Sequence, residues 1–358
     1  MEVSYGVGNG VRRARYLRAA IAVCVVCAML GAALVATIGA LNRDLYSPAG
    51  FVRQYLDALA AHNTDTALAL PGAEPTDADL EAAGLPQDLP RTLLRPSVLG
   101  SITDIEFVSD TASSADTELG QKSQHTVVFD FRLDGTETSM EFTVERLGTV
   151  AGLFSTWGFA TSPLAVLQVT VLHEADFSVN GLTLDTRAHA AADAPITFSN
   201  RGAYLAFAPA VYDISHDSAL LTAPVQKVPV VASGAAEVTV DAVPNPTFTG
   251  QVQTKLNEFL DECATQQVLQ PSNCPFGIEI DNRVKSAPAW SITQYPEVAL
   301  TGGETAFDMP STAGQAHIVV DVQSLYDGEL STHDEDVAFS VALTVTIQSD
   351  GALAIQLR

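Results

Sequence analysis

Seven histidines and four cysteines are the residues of this 358-residue chain best able to do chemistry, and their spacing sets the first limits. His62, His125, His173, His189, His216, His317 and His333 are scattered, and none falls into an H-E-x-x-H or comparable metal-binding spacing. His173-Glu174 and His216-Asp217 are adjacent acid–imidazole pairs at expected strand ends or loops. Neighbours on a strand face opposite ways, so neither pair is placed to share a metal. The acidic run Asp327, Glu329, Asp334, Glu335 and Asp336 has oxygens that could attract Ca²⁺. It lacks the alternating ligands of an EF-hand loop and reads as a solvated loop between two strands. Thr301-Gly302-Gly303-Glu304 lacks the lysine and glycine spacing of a phosphate cradle and reads as a turn. No G-x-S-x-G, Walker or dinucleotide-binding motif occurs, so no catalytic residue, metal or cofactor is assigned.

The cysteines divide into two pairs. Cys24 and Cys27 lie inside the uncharged run Ala19–Leu41 and read as small apolar residues in lipid rather than as a redox C-x-x-C. Cys263 and Cys274 lie outside it, and an even pair in an oxidising compartment reads as a disulfide.

The run itself fixes the topology to expect. At about 1.5 Å per residue it reaches roughly 34 Å, enough for a hydrocarbon core of about 30 Å. Arg12, Arg13, Arg15 and Arg18 precede it, and the mixed segment Asn42-Arg43-Asp44 follows. Basic residues prefer the cytoplasmic side, so residues 1–18 are expected inside and the rest outside the cell, in a single-pass cell-membrane protein. A cleaved signal peptide is the rival. Its apolar region is typically about 7–15 residues, shorter than this run, so an uncleaved signal anchor at 19–41 is expected.

Composition agrees with export. The chain carries a formal net charge of −24, and residues 1–18 hold four arginines and one glutamate, so the remainder carries −27. Such a surface repels nucleic acid and anionic headgroups, which excludes DNA and RNA as partners and favours cations or basic partners. A hydrophobic content of 47% argues for folded domains rather than an unstructured stalk.

The elements follow from periodicity. Ser47-Pro48 starts a helix whose apolar face is Val52, Tyr55, Leu56 and Leu59. Thr76-Asp77 can cap a short helix, and Arg91–Leu94 reads as part of another. Ile102–Val108 is a candidate strand and 110–124 a polar loop. His125–Leu133 and Ser139–Arg146 alternate around the hairpin signal Asp134-Gly135, and Gly152–Phe159 is a further strand. Residues 44–162 therefore read as a compact α+β domain. Ala165–Leu172, Phe177–Leu184 (with an Asn180-Gly181 turn), Ala194–Ser199, Ala203–Ala208 and Gln226–Val231 read as a small all-β module over 163–245, closed by the boundary Val243-Pro244-Asn245-Pro246. A second strong helix starts near Thr249, with Val252, Leu256, Phe259, Leu260 and Cys263 on one face. Strands follow at Trp290–Thr293, Val298–Leu300, Ala316–Tyr326, 336–348 and, after Asp350-Gly351, Ala352–Leu357. Residues 246–358 thus form a second α+β domain with the disulfide. The pieces Tyr55–Ala60 and Phe259–Ala264 echo each other, which suggests a duplicated helix-plus-antiparallel-sheet fold.

With a basic start, one span and a helix-plus-curved-sheet domain, the chain resembles single-pass envelope proteins of Gram-positive bacteria. Phe51–Ala61 with the strands from His125 to Phe159 is similar to the cone-shaped nuclear-transport-factor-2-like superfamily. The Val179-Asn180-Gly181 turn resembles one in modules of membrane proteins linked to glycopeptide resistance and wall maintenance. Phe259–Gly277 is similar to a segment of uncharacterised exported actinobacterial proteins. The chain lacks the N-terminal zinc ribbon that some of those envelope proteins carry. The resemblance implies an extracytoplasmic fold and transfers no catalytic residue.

Cone-shaped folds often enclose an apolar pocket at the mouth of the sheet. Tyr55, Phe129, Phe131, Phe142 and Trp157 could line one in the first domain, and Phe259, Trp290, Tyr295 and Phe339 in the last. A filled core is the alternative, because sheet folds bury one face of every strand. The function expected is non-enzymatic: a membrane-anchored module that binds an envelope protein or wall component. The alternative is an exported enzyme with its active site in an α+β pocket where a histidine meets a carboxylate.

Overall fold

A computed structural model describes residues 9–113, 123–188, 197–348 and 350–358. His189, half of the expected strand Ala194–Ser199 and much of the expected polar loop 110–124 lie outside the described residues.

The first element, α1 (Asn9–Asp44), is a helix whose segment Cys24–Asn42 has a mean hydropathy of 2.4 and is long and apolar enough to cross a membrane. None of that segment is buried against protein. Met29, Leu30, Leu34 and Val35 are each 60–70% exposed, and Cys24 and Cys27 are free thiols.

The chain turns at Tyr46 and enters α2 (Pro48–Ala60). Ser47 caps it by accepting a hydrogen bond from the Gly50 amide at 2.9 Å, and Pro48 takes the first helical position. Its buried face is Phe51, Val52, Tyr55, Leu56 and Leu59. Two short helices follow, α3 (Thr64–Leu68) and α4 (Asp77–Ala82). Thr76 and Asp79 close a reciprocal capping box on α4, and these bonds hold the Asp79 carboxyl below its ordinary value. Arg91–Leu94 is not helical. It makes a turn closed by the Leu94 amide on the Arg91 carbonyl. Pro90 and Pro96 bracket it, and proline pushes the residue before it into extended backbone, as seen at Arg95 (φ −127°), so no helix fits between.

An antiparallel sheet in the order β1 (Ile102–Ala112), β2 (Gln124–Leu133), β3 (Thr136–Val150) and β4 (Phe154–Phe159) covers α2. β1 continues through Asp110–Ala112, pairing with His125–Val127, where a loop was expected. Asp134 and Gly135 both have positive φ (47° and 84°), the geometry of a tight hairpin turn. Phe51 stacks on Phe159 at 4.9 Å, and the Tyr55 ring meets Phe142 and Phe159 edge-on.

Two sheets follow, built from β5 (Ala165–Leu172), β6 (Asp176–Val179), β7 (Leu182–Asp185), β8 (Ser199–Ala206), β9 (Ala210–Asp217), β10 (Leu221–Val230), β11 (Gly234–Asp241) and β12 (Val243–Pro244). Their orders are β12-β10-β9-β6-β7 and β11-β5-β8. Asn180 and Gly181 make the expected turn, with φ of 47° and 81°. Asn180 is also tied to Asp213 twice: its amide donates to the Asp213 carbonyl, and its Oδ1 accepts from the Asp213 amide. Phe207 and Ala208, expected in a strand, lie beyond the end of β8.

The last helix, α5 (Pro246–Ala264), begins at the Pro of the expected boundary, three residues before Thr249. Asn245 is its cap, accepting from the Phe248 amide at 3.0 Å. Its sheet contains β13 (Arg283–Val284), β14 (Ala289–Gln294), β15 (Thr301–Gly302), β16 (Phe307–Gln323), β17 (Leu330–Ile347) and β18 (Leu353–Leu357). The long β16–β17 hairpin is its spine; β18 pairs with β17, and β13, β14 and β15 pair with β16. Val298–Leu300 is irregular rather than a strand, and Ser324–Tyr326 is a turn. The acidic segment Asp334–Asp336 is not a loop: it lies in β17, opposite His317–Val319 of β16. Its side chains face solvent, so strand pairing leaves their charges hydrated. Phe248, Val252, Leu256, Leu260 and Cys263 of α5 join Phe307, Met309, Ile318, Val341 and Leu343 in one buried cluster. Cys263 is bonded to Cys274, eleven residues on, with Cα atoms 5.8 Å apart.

The fold class is α+β, dominated by antiparallel sheet, with one apolar helix at the start. By contacts the chain forms two compact units: residues 1–166, 204–211 and 229–236, and residues 167–203, 212–228 and 237–358. Residues 163–245 are thus divided between them.

The Cys263–Cys274 link closes a short loop at the end of α5, and restricting that loop in the unfolded chain contributes about 3 kcal/mol. Replacing both cysteines by serine should lower unfolding stability by about that much in denaturant titration. An unchanged midpoint would mean that the link restrains nothing.

Candidate functional site

Two concave sites lie in the second unit, and each is built by elements whose local sequence dictates which side chains point inward. The first is an apolar groove of about 730 Å³ between α5 and β18. Positions 251, 255 and 259 recur every four residues on α5, so Gln251, Lys255 and Phe259 stand in line along one wall, above the buried Leu256. Leu353, Ile355 and Leu357 alternate along β18, and a period of two brings all three to the same face as the opposite wall. The charged group at the wall is Lys255, whose Nζ is paired with Glu258 at 2.8 Å. Among the described residues β18 ends the sheet order, with no strand beside its outer edge. A groove of this volume is in the range that holds a drug-sized molecule or a few side chains.

The second site is a more polar cleft, also about 730 Å³, lined by His173, Glu174, Arg187, Asn200 and Glu304 together with Phe198 and Phe307. His173 follows β5 in left-handed backbone (φ 68°), so it and Glu174 line the same cleft rather than facing opposite ways. Its Nδ1 lies 3.2 Å from both the Ala242 carbonyl and Asp241 Oδ1. The ring packs against Phe198 and Phe307, with centroids 4.9 and 5.6 Å away. The opposite edge meets Gly302: a Cβ at that glycine would stand 2.2 Å from both Cε1 and Nε2. One nitrogen is therefore committed to Asp241 and Ala242 and the other edge is packed on backbone, as in a structural imidazole. Asn200 holds the floor by donating to the carbonyls of Glu174 and Thr197. Nearby, burial, then the charges of Asp185 and Glu174, raise the carboxyl of Asp176 above its ordinary 3.8.

The aromatic residues singled out in the sequence occupy other places. Tyr55, Phe129, Phe131 and Phe142 are each at most 2% exposed, and the Tyr55 hydroxyl donates to the Ala208 carbonyl at 2.9 Å. Trp157 is half-buried, with its indole N–H on the Tyr46 carbonyl. Trp290 is buried against Phe276 and donates to the Val268 carbonyl. Tyr295 donates to Asp261, and Phe339 packs on Phe276. Phe259 alone of this set lines the apolar groove. The other wall, Leu353 to Leu357, carried a signal in its alternation, but not one that distinguishes a groove from a core.

Three other histidines pair with carboxylates, His125 with Asp110, His317 with Asp334 and Asp336, and His333 with Glu335, whereas His216 is buried with its Nδ1 on the Asp176 carbonyl. Among the described residues no group of three or more His, Cys, Asp or Glu is arranged to hold a metal ion. No family model, curated protein or solved structure matches the chain.

Two outcomes follow from the cleft. Gly302→Ala should destabilise the protein by about 1–3 kcal/mol through overpacking. His173→Ala in the same chain should return part of that loss; a strictly additive double mutant would show that the two do not press on each other. Asp176 titrates above its unfolded value, so its contribution to stability is present below pH 3.8 and is lost as pH rises through the folded value. Asp176→Asn should therefore raise the melting temperature at neutral pH and lose that advantage in acid; a constant offset across the pH range would refute the assignment.

Proposed function

We propose that this chain is a single-pass membrane protein, with its basic start in the cytoplasm and its α+β ectodomain outside the cell, that binds an apolar extended segment of an envelope protein without catalysing a reaction. The exposed apolar helix supports anchorage, because more than a helical turn of unshielded Leu, Val and Met is costly in water. The arginines before it support the orientation. The disulfide supports an oxidising compartment.

The observation that carries the binding function is the groove between α5 and β18. Its walls are Leu256, Phe259, Leu353, Ile355 and Leu357, which suit aliphatic or aromatic side chains. A saccharide would find few hydrogen-bond partners there. The free edge of β18 offers backbone N–H and C=O groups to an added strand, whose alternate side chains would then enter the groove. The excess of acids over the ectodomain favours a segment with basic flanks.

The second reading is an exported enzyme working in the His173 cleft, where a histidine and a carboxylate meet. It ranks lower because both edges of that imidazole are occupied by the protein itself.

A photo-crosslinking residue at position 259 should join a polypeptide partner in native membranes, whereas the same group at Tyr326, which is 99% exposed, should not. Ile355→Asp, which places a charge in the apolar wall, should cut the position-259 adduct by about tenfold or more. Equal adducts at both positions, or an adduct indifferent to Ile355→Asp, would defeat the binding reading.

A further inference from the structure

We infer that the tip of the β3–β4 hairpin is a second membrane contact, lying in the interface of the outer leaflet beside the end of the transmembrane helix. The inference rests on the anchor reading of α1.

The hairpin leaves apolar side chains uncovered. Leu147 is 46% exposed, Val150 56% and Leu153 52%. The turn is tight: Ala151 and Gly152 both have positive φ (52° and 67°), and the Leu153 amide returns to the Val150 carbonyl at 3.1 Å. Val150 and Leu153 are thereby held side by side at the extremity rather than folded back over the sheet. No charged residue occurs from Leu147 to Leu172, in a chain with 42 acids. An apolar, uncharged tip on so acidic a protein is the part that a headgroup region would repel least.

What singles out lipid as the occupant is continuity with α1. The apolar segment ends at Asn42, and the Asn42 side chain donates to the Leu153 carbonyl at 2.8 Å. The turn therefore sits at the depth where the helix leaves the hydrocarbon. The next contacts are those of an interfacial belt: Tyr46 stacks on Phe154 at 4.6 Å, and the Trp157 indole N–H donates to the Tyr46 carbonyl at 2.8 Å. Tyr and Trp favour this level because an apolar ring meets lipid while a polar atom keeps a hydrogen bond. The hairpin and the helix end are thus one element, and a bilayer spanned by the helix reaches the hairpin tip.

The test uses the full chain reconstituted in phosphatidylcholine vesicles, with Cys24 and Cys27 replaced by alanine and the Cys263–Cys274 bond intact. Single cysteines at Val150→Cys, Leu153→Cys and Thr136→Cys carry a polarity-sensitive fluorophore. Thr136 is exposed at the opposite end of β3, about 46 Å along the strand, and serves as the water-facing control. Labels at 150 and 153 should be quenched by a lipid spin-labelled near its headgroup about threefold or more above the label at 136. Protein that stays with the vesicles but shows equal quenching at all three sites overturns the hairpin contact and leaves the anchor standing. Disulfide-linked dimers of unlabelled Leu153→Cys, with weak lipid quenching, would assign the tip to a second copy of the chain and also overturn it. Protein that fails to stay with vesicles overturns the anchor, and the hairpin contact with it.

Discussion

The largest unbalanced cost in this structure is an apolar helix that the rest of the described chain leaves uncovered, because exposed Leu, Val and Met side chains are unfavourable in water. None of the side chains from Cys24 to Leu41 is buried by the rest of the described chain, and Asn42 makes the first tie to the first sheet, donating to the Leu153 carbonyl. Where the helix ends, burial sets in within a few residues: Leu41 and Leu45 are exposed, whereas Phe51, Val52 and Tyr55 are buried under the first sheet. That switch is made by a cap. The Leu45 and Tyr46 amides close the first helix on the Leu41 carbonyl, and Ser47 and Pro48 then start the next, with the Ser47 side chain taking up the Gly50 amide.

The two long ectodomain helices show how one architecture can give a sealed core or an opening. Each is capped by a small polar residue followed by proline, and each lays one apolar face on an antiparallel sheet. Under α2 the space is filled by interlocking rings, Phe51, Tyr55, Phe142 and Phe159. Beside α5 the flank is completed by a short strand of aliphatic residues. Leu353, Ile355 and Leu357 face Phe259 across a groove rather than closing over it. The two layers are chemically similar, yet one is filled by aromatic rings and the other is left with a groove.

Much of the fold was legible because its signals are local. Asp134-Gly135 and Asn180-Gly181 announce hairpins through their tolerance of positive φ, and Ser47 and Thr76 announce helix starts through a hydroxyl aimed at orphan amides. The sequence misled where a nonlocal partner overrode local polarity. Asp334-Glu335-Asp336 looks like a loop, yet β16 supplies ladder partners and solvent keeps the charges. β9 was missed because His216 stands at an inward position; it is 5% exposed and bonded through Nδ1 to the Asp176 carbonyl. The candidate groove was hidden for the same reason. Its two walls are distant in sequence and meet only through the pairing of β17 with β18.

The Asn180-Gly181 turn has a consequence for the chemical ageing of the chain. Asparagine before glycine is prone to deamidation, because the glycine nitrogen can reach the side-chain carbonyl carbon to form a cyclic imide. Here that carbonyl oxygen is held by the Asp213 amide at 2.6 Å, and the Asn180 amide is held by the Asp213 carbonyl. The side chain cannot swing onto the next peptide nitrogen without breaking the tie to β9. Folding thus protects a bond that the unfolded chain would lose to hydrolysis, and intact Asn180 becomes a record of how continuously this part of the protein has stayed folded.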